Sequence, residues 1–220
     1  MLHHTLDNTH RLLVISDIHG HAGGLQLLLD AAEYNPRTDR LVLAGDYIDE
    51  DRQSFETLHM IRKLTDEGAV ALPGNMETRW LSHSGEVTSR CASLRSWLEG
   101  LPPYFEADGY LFVHAGFRPG VPLTEQTLPD MTEIRQDFWE AELPAFAEKG
   151  IVFGHTPTFK MGGTAGEIWR RPGKIGIDTG AKHGCRLTLL DVHNRVAYSC
   201  STASGRGSYT DFRADLLVEC

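Results

Sequence analysis

The segment Ser16-Asp17-Ile18-His19-Gly20-His21 hands an Asp and a His to a glycine turn directly after the apolar run at 12–15, which is half of a metal site. Four further turns follow apolar runs in the same way: Gly45-Asp46-Tyr47-Ile48-Asp49, Gly74-Asn75-Met76-Glu77, His114-Ala115-Gly116 and Gly154-His155-Thr156-Pro157. A lone Asp or His after a strand reads equally well as a helix cap or a surface group, and Asn75 after Gly74 alone reads as a turn. Five donor-bearing turns in one order point instead to a common site.

The donor types specify the chemistry. Carboxylate oxygens suit hard divalent cations, whereas imidazole shifts preference toward Mn, Fe and Zn, so a mixed Asp, His and Asn set suits a transition-metal pair. Two such ions about 3.5 to 4 Å apart clamp the attacking and leaving oxygens of an in-line displacement at phosphorus. Holding two dications so close needs an anionic bridge, and Asp46, flanked by donors for each ion, is assigned that role.

These blocks resemble the calcineurin-like metallophosphoesterases, and within them the phosphoprotein phosphatase branch, whose blocks read GD-x-HG, GD-x-x-D-R-G, GN-H-E, HAG and GH-T-P. The resemblance runs from about residue 12 to 191. It implies one metal held by Asp17, His19 and Asp46 and a second held by Asp46, Asn75, His114 and His155, with a bridging water as nucleophile. The ions expected are Mn²⁺, with Fe or Zn as alternatives. By the same resemblance Arg135, in Ile134-Arg135-Gln136-Asp137-Phe138, is the first choice for a phosphate clamp, since a guanidinium engages two phosphoryl oxygens at once. The lesser reading of Arg135, on a helical stretch at 131–140, is an ordinary salt-bridge partner.

Two departures bear on activity. Where the family carries a His that protonates the leaving oxygen together with the Asp corresponding to Asp49, this chain has Met76, and a thioether is no general acid; a positioned proton donor is typically worth about 10² to 10⁴ in rate. Glu50 replaces the family Arg that follows this Asp, leaving Arg52 as the nearest basic residue and the candidate substrate contact. His21 is the first substitute for the missing acid, against the plainer reading of a polar contact at a helix start. His59, His83 and His183 are weaker candidates, and Glu77 is expected behind the donors as support.

The composition agrees with this reading. At 220 residues with 41% hydrophobic content the chain suffices for one sizeable core, and a single domain is expected, with its core at about 11–200 and a loose small-polar tail at 201–220. A net charge of −9 disfavours binding to long nucleic acids. No apolar run approaches the ~20 residues that span a bilayer, and a signal-peptide core is lacking, so the expectation is a cytoplasmic protein without membrane contact. Cys91, Cys185, Cys200 and Cys220 show no metal spacing and are expected as structural thiols, with Cys200 and Cys220 open to oxidation.

Apolar runs alternate with helical patterns, as βαβ units require. Strands are expected at 12–15, 41–44, 69–72, 110–113, 151–153, 175–177, 187–190 and 196–199, and helices at 24–33, 52–67 and 86–98. In the second helix Phe55, Leu58, Ile61 and Leu64 form one stripe, and 161–166 reads as a flexible loop. The fold class is α/β (α+β), a central β-sandwich flanked by helices by resemblance, with the donors on loops at the carboxyl ends of strands. The expected function is a dinuclear metal-dependent phosphoesterase acting on a phosphorylated protein, on serine/threonine or tyrosine, or on a small phosphoester or nucleotide. The main reading is a protein phosphatase. The alternatives are a symmetrical bis(5'-nucleosyl)-tetraphosphatase and a catalytically impaired metal- or phosphate-binding protein.

Overall fold

A computed structural model describes residues 10–83 and 89–218, without the side chains of 52, 53 and 89–91. Among the described residues, eleven strands fall into two mixed sheets. The first contains β1 (Arg11–Ile15), β2 (Asp39–Leu43), β3 (Val70–Ala71), β9 (Arg186–Asp191), β10 (Val196–Ser201) and β11 (Thr210–Leu216), in the order β11-β10-β9-β1-β2-β3. The second contains β4 (Tyr104–Ala107), β5 (Tyr110–Val113), β6 (Gly150–Phe153), β7 (Trp169–Arg171) and β8 (Lys174–Gly176), in the order β4-β5-β6-β8-β7. The helices are α1 (Ala22–Ala31), α2 (Glu56–Asp66), α3 (Asn75–His83), α4 (Ser89–Glu99) and the short α5 (Leu128–Glu133) and α6 (Gln136–Trp139).

The unbroken apolar runs in the strands arise because both faces of each sheet are covered. In β1, Leu12 and Val14 point into the sandwich, where they meet Val42, Phe112 and Val152, while Leu13 and Ile15 point outward under the helices. The outer face of the first sheet is closed by Leu25 and Leu28 of α1 and by the expected stripe on α2, where Leu58, Ile61 and Leu64 are buried and Phe55 packs alongside. The second sheet's outer face is closed by Phe117, Met131, Phe138 and Trp169. Each fully buried Leu, Ile or Phe contributes about 1.5–3 kcal/mol, which fixes the faces and hence the register.

Three sequence expectations are corrected. Of the stretch 201–220, expected as a loose tail, the described part is tied down: β11 pairs antiparallel with β10, although every residue of the strand is exposed, so its backbone hydrogen bonds rather than apolar burial hold it. The helical stretch at 131–140 is broken, since Ile134 leaves α5 with extended geometry and Arg135 sits at the junction before α6. Cys200 is fully buried with its thiol pushed up to about 11 by that burial, which removes the expected oxidation site. The loop at 161–166 begins with Met161 packed in the outer cluster and its carbonyl accepting from Trp169 Nε1 at 3.1 Å. Cys220 and the side chain of Cys91 lie outside the described residues. No helix among the described residues is long and apolar enough to cross a membrane.

Candidate metal centre

Strands β1, β2 and β3 run parallel, and so do β5, β6 and β8, so six carboxyl ends open at one edge of the sandwich. Asp17, Asp46, Asn75, His114 and His155 each follow one of these ends, and Asp178 follows the sixth. Backbone bonds join the turns: Asp17 N donates to Gly45 O at 3.0 Å, His19 N to Asp46 O at 2.9 Å and Gly154 N to His114 O at 2.7 Å. Among the described non-glycine residues with left-handed backbone, four belong to the cluster: Asp17, His19, Asp46 and His155, with φ between 45° and 65°. Such conformations cost on the order of 1–3 kcal/mol each and persist where surrounding structure imposes them. Crowding demands glycine nearby, since a Cβ at Gly74 would collide with Asp46 and one at Gly154 with Asp17 and Ser16.

The donor atoms form two groups that share Asp46: Asp17, His19 and Asp46, and Asp46, His114 and His155, all buried, with their atoms within 4.8 Å of one another in each group. Asn75 Oδ1 joins the second group, 2.8 Å from His155 Nδ1 and 3.3 Å from His114 Nε2. Backbone carbonyls, which only accept, fix the tautomers. His114 Nδ1 donates to Ala44 O at 2.8 Å, His19 Nδ1 to Ile48 O at 3.2 Å and His155 Nε2 to Glu133 O at 3.2 Å. The opposite nitrogen of each ring therefore turns a bare lone pair toward the carboxylates, as metal-ligating imidazoles do.

The electrostatics point the same way. Burial pushes His19 down to about 4 and His155 down to about 3, with Arg135 adding to the latter, and burial holds His114 well below the usual range. These rings are neutral at pH 7, so His155 Nδ1 and His114 Nε2 turn their lone pairs toward Asn75 Oδ1 and Asp46. Burial, then the neighbouring charges of Asp178 and Asp46, raises Asp17 well above the carboxylate range, and burial with Glu77 does the same for Asp46. Burial pushes Asp178 up to about 6. Lone pairs crowded against lone pairs and carboxyls forced toward protonation are what divalent cations relieve, and this oxygen–nitrogen set fits them.

Glu77 braces the arrangement from behind. Its fully buried carboxylate accepts from Asp46 N, Tyr47 N and Gly74 N at 2.9 Å and from Ile48 N at 3.2 Å, tying two donor turns together.

The remaining sequence candidates are placed unequally. Arg135, exposed at the α5–α6 junction, donates from Nη1 to Thr156 Oγ1 at 3.2 Å, and its charge acts on His155, His114 and Asp178. Its position at a helix break therefore aims it at the donors. His21 turns away to Tyr209, with Nδ1 3.2 Å from the hydroxyl, and burial pushes it down to about 4, which leaves it no imidazolium proton to give near neutral pH. His59 and His83 are exposed on α2 and α3, and His183 packs edge-on against Phe159. The side chain of Arg52 lies outside the described residues. Asp49 meets two cations that sequence reasoning passed over: Lys182 Nζ at 2.8 Å and Arg206 Nη2 at 3.7 Å. Burial raises its carboxyl, but the hydrogen bond and charge of Lys182 prevail and hold it below the usual range. Neither cation stands in a motif, and Arg206 lies in the stretch read as tail.

Comparison with known proteins agrees with this geometry. Over 125 residues the chain is 33% identical to the symmetrical bis(5'-nucleosyl)-tetraphosphatase of Aromatoleum aromaticum, covering 50% of this chain and 45% of that protein. It is 32% identical over 120 residues to the enzyme of the same name from Vibrio cholerae, covering 48% and 44%. The chain thus spans about half the length of the curated relatives it matches. Among solved structures, a candidate diadenosine tetraphosphatase superposes with a TM-score of 0.68 at 22% identity, covering 89% of this chain and 95% of that one. A cold-active protein-tyrosine phosphatase of a Shewanella species superposes at 0.59 with 17% identity, covering 93% and 81%. The structural likenesses speak for the fold. With the model of the calcineurin-like phosphoesterases matching residues 10–183, a span that carries all five donor turns, the chain belongs to that family.

Proposed function

We propose that this chain is a metal-dependent hydrolase that holds two divalent cations, Mn²⁺ first, and cleaves phosphoanhydrides of nucleotides, with symmetrical dinucleoside tetraphosphates as the leading substrate. The observation that carries the dinuclear reading is the convergence of His114, His155 and Asn75 on Asp46, with Asp17 and His19 on its other side. Asp17, His19 and Asp46 would hold one ion, and Asp46, Asn75, His114 and His155 the other. When bound, the pair supplies a lowered pKa for water and positive charge toward the phosphoryl oxygens. Ala44 O, Ile48 O and Glu133 O hold the three imidazoles in their donor tautomers. Arg135 offers its guanidinium to the substrate phosphoryl group, and Glu77 keeps the 45–48 and 74–75 turns in register.

The choice of anhydride over monoester rests on Met76. A nucleoside diphosphate departs as a stable anion and needs no proton, so the missing acid costs little there, and the curated relatives bear the name of that activity. A phosphoprotein is the second reading. It rests on the sequence blocks, and Met76 narrows it to aryl esters such as phosphotyrosine.

The test is ADP release from diadenosine tetraphosphate with Mn²⁺, beside phosphotyrosine and phosphoserine peptides and the Asp46→Asn variant. Symmetrical cleavage at least ten times faster than peptide turnover, lost in the variant, is the expected result. Faster peptide turnover would hand the site to the protein phosphatase reading. Two bound metals with no hydrolysis of any substrate would make it a binding protein.

A further inference from the structure

Asp49 stands three residues past Asp46, and the residue that the family pairs with it is here Met76, buried among the apolar side chains beneath α1 and α2. No imidazole reaches Asp49 from that position. Lys182 does reach it, from the short 3-10 turn Ala181–His183 that follows Gly180, with Nζ 2.8 Å from Asp49 Oδ1. Arg206 arrives from beyond β10. Its Nε donates to His19 O at 3.0 Å, its Nη1 to Asp51 Oδ2 at 2.6 Å, and its Nη2 lies 3.7 Å from Asp49 Oδ2. The positions 49, 182 and 206 thus form one small cluster on the rim beside Asp46.

The two cations differ in what they have left to offer. The fork of Arg206 is spread over three acceptors, one of them the backbone of a donor turn. Lys182 carries three N–H groups and has one partner among the described residues, Asp49, while 37% of its side chain is exposed. Two N–H donors therefore remain for an incoming group. The lysine is part-exposed and held over the rim by Asp49, the carboxylate three residues past Asp46.

Resting on the reading of this cleft as a phosphate-hydrolysing site, we propose that Lys182 is a catalytic residue that binds the leaving oxygen of the substrate, with Asp49 and Arg206 as its positioning residues. A water oxygen forms the new bond to phosphorus and releases its proton to solvent. The old P–O bond breaks with its electron pair passing to the leaving oxygen, and Lys182 donates a hydrogen bond to that oxygen. The proton stays on the nitrogen and the group departs as an anion. An ammonium is a compact point charge, suited to charge that develops on one atom, and such stabilisation is strongest where donors are held in place before the reaction. Asp49 does the holding: it fixes one N–H of a flexible chain and aims the others. The device replaces proton transfer by charge compensation, which suits a cleft with Met76 where the family has its acid.

The experiment compares p-nitrophenyl phosphate, a good leaving group, with phenyl phosphate, a poor one, at saturating Mn²⁺. Wild type, Lys182→Met, Lys182→Gln, Lys182→Arg and Asp46→Asn are measured, each with a thermal melt. Lys182→Met is expected to lower kcat on phenyl phosphate by about 10²-fold and on p-nitrophenyl phosphate by less than about tenfold, with KM little changed. Lys182→Gln, which keeps an N–H but not the charge, gives the same split if the Met variant fails to fold, and Lys182→Arg recovers part of it. Equal losses on both substrates, or no loss, would overturn the assignment while metal-dependent turnover that vanishes in Asp46→Asn leaves the phosphoesterase reading standing. A wild type inactive on both substrates with Mn²⁺, and on diadenosine tetraphosphate, would overturn both.

Discussion

Along one side of the cleft every donor issues from a turn directly after a parallel strand, whereas the side that faces the leaving group is assembled from positions 49, 182 and 206, drawn from three separate stretches of chain. The first side is buried, backbone-stitched and strained: four left-handed residues, three imidazoles pinned by carbonyls, and Glu77 accepting four N–H groups. The second is part-exposed and held by ion pairs between side chains. A site for cations has to be rigid before they arrive, because its ligands repel one another until then, so it is built from backbone. A contact to a leaving group has to form and release, so side chains on a rim suffice.

That contrast breaks at Asp46 if it breaks anywhere. Asp46→Asn removes the one carboxylate common to both donor groups, and Mn²⁺-dependent turnover of p-nitrophenyl phosphate is expected to fall by ~10³ or more, the several kcal/mol of charge stabilisation that a metal site supplies. A smaller loss, with two metals still bound by elemental analysis, would show the sharing to be dispensable. Gly154→Ala tests the rigidity of the same side without touching a donor: its Cβ would push Asp17 and Ser16 aside, and a loss of about 10–100 in Mn²⁺ affinity by titration calorimetry is expected. On the rim, Arg135→Ala is expected to raise KM for phosphate esters by about tenfold, from the loss of one charged hydrogen bond.

Met76→His sharpens the comparison. If the leaving-group side relies on Lys182, restoring the family's histidine gains less than about tenfold on phenyl phosphate. The imidazole enters an apolar cluster instead, costing about 1–3 kcal/mol in denaturant unfolding. The smallest effect lies away from the cleft, at Lys174 of β8, which donates to Phe138 O and Ala141 O and which burial pushes down to about 8. The unfolded chain then binds more protons than the fold between about pH 8 and the ordinary lysine value, so stability rises with pH across that window and the penalty is complete below it. Chemical denaturation at pH 8 and pH 10 is expected to show this rise in wild type and less of it in Lys174→Met.

Much of this molecule was legible because burial writes itself into composition. Eight strands with apolar runs, the α2 stripe and all five donor turns could be read, since strands covered on both faces must be continuously apolar and parallel strands must present their carboxyl ends together. Strands β4 and β7 each bury only one residue fully, and β11 is wholly exposed; they carry no such imprint. Arg135 read as a helix residue because a two-residue break at Ile134 and Arg135 leaves the local pattern intact.

By itself, then, the sequence determined which turns carry the candidate donors, because each donor lies within four residues of the end of its strand, while the two-sheet architecture followed from the resemblance those turns carry. The tertiary structure alone decided what stands opposite Asp49. Ion pairs between residues 133 and 157 positions apart in the chain leave no local periodicity or spacing, and only the packing of β8, the following turn and the segment beyond β10 against the first donor turns brings Lys182 and Arg206 to that carboxylate.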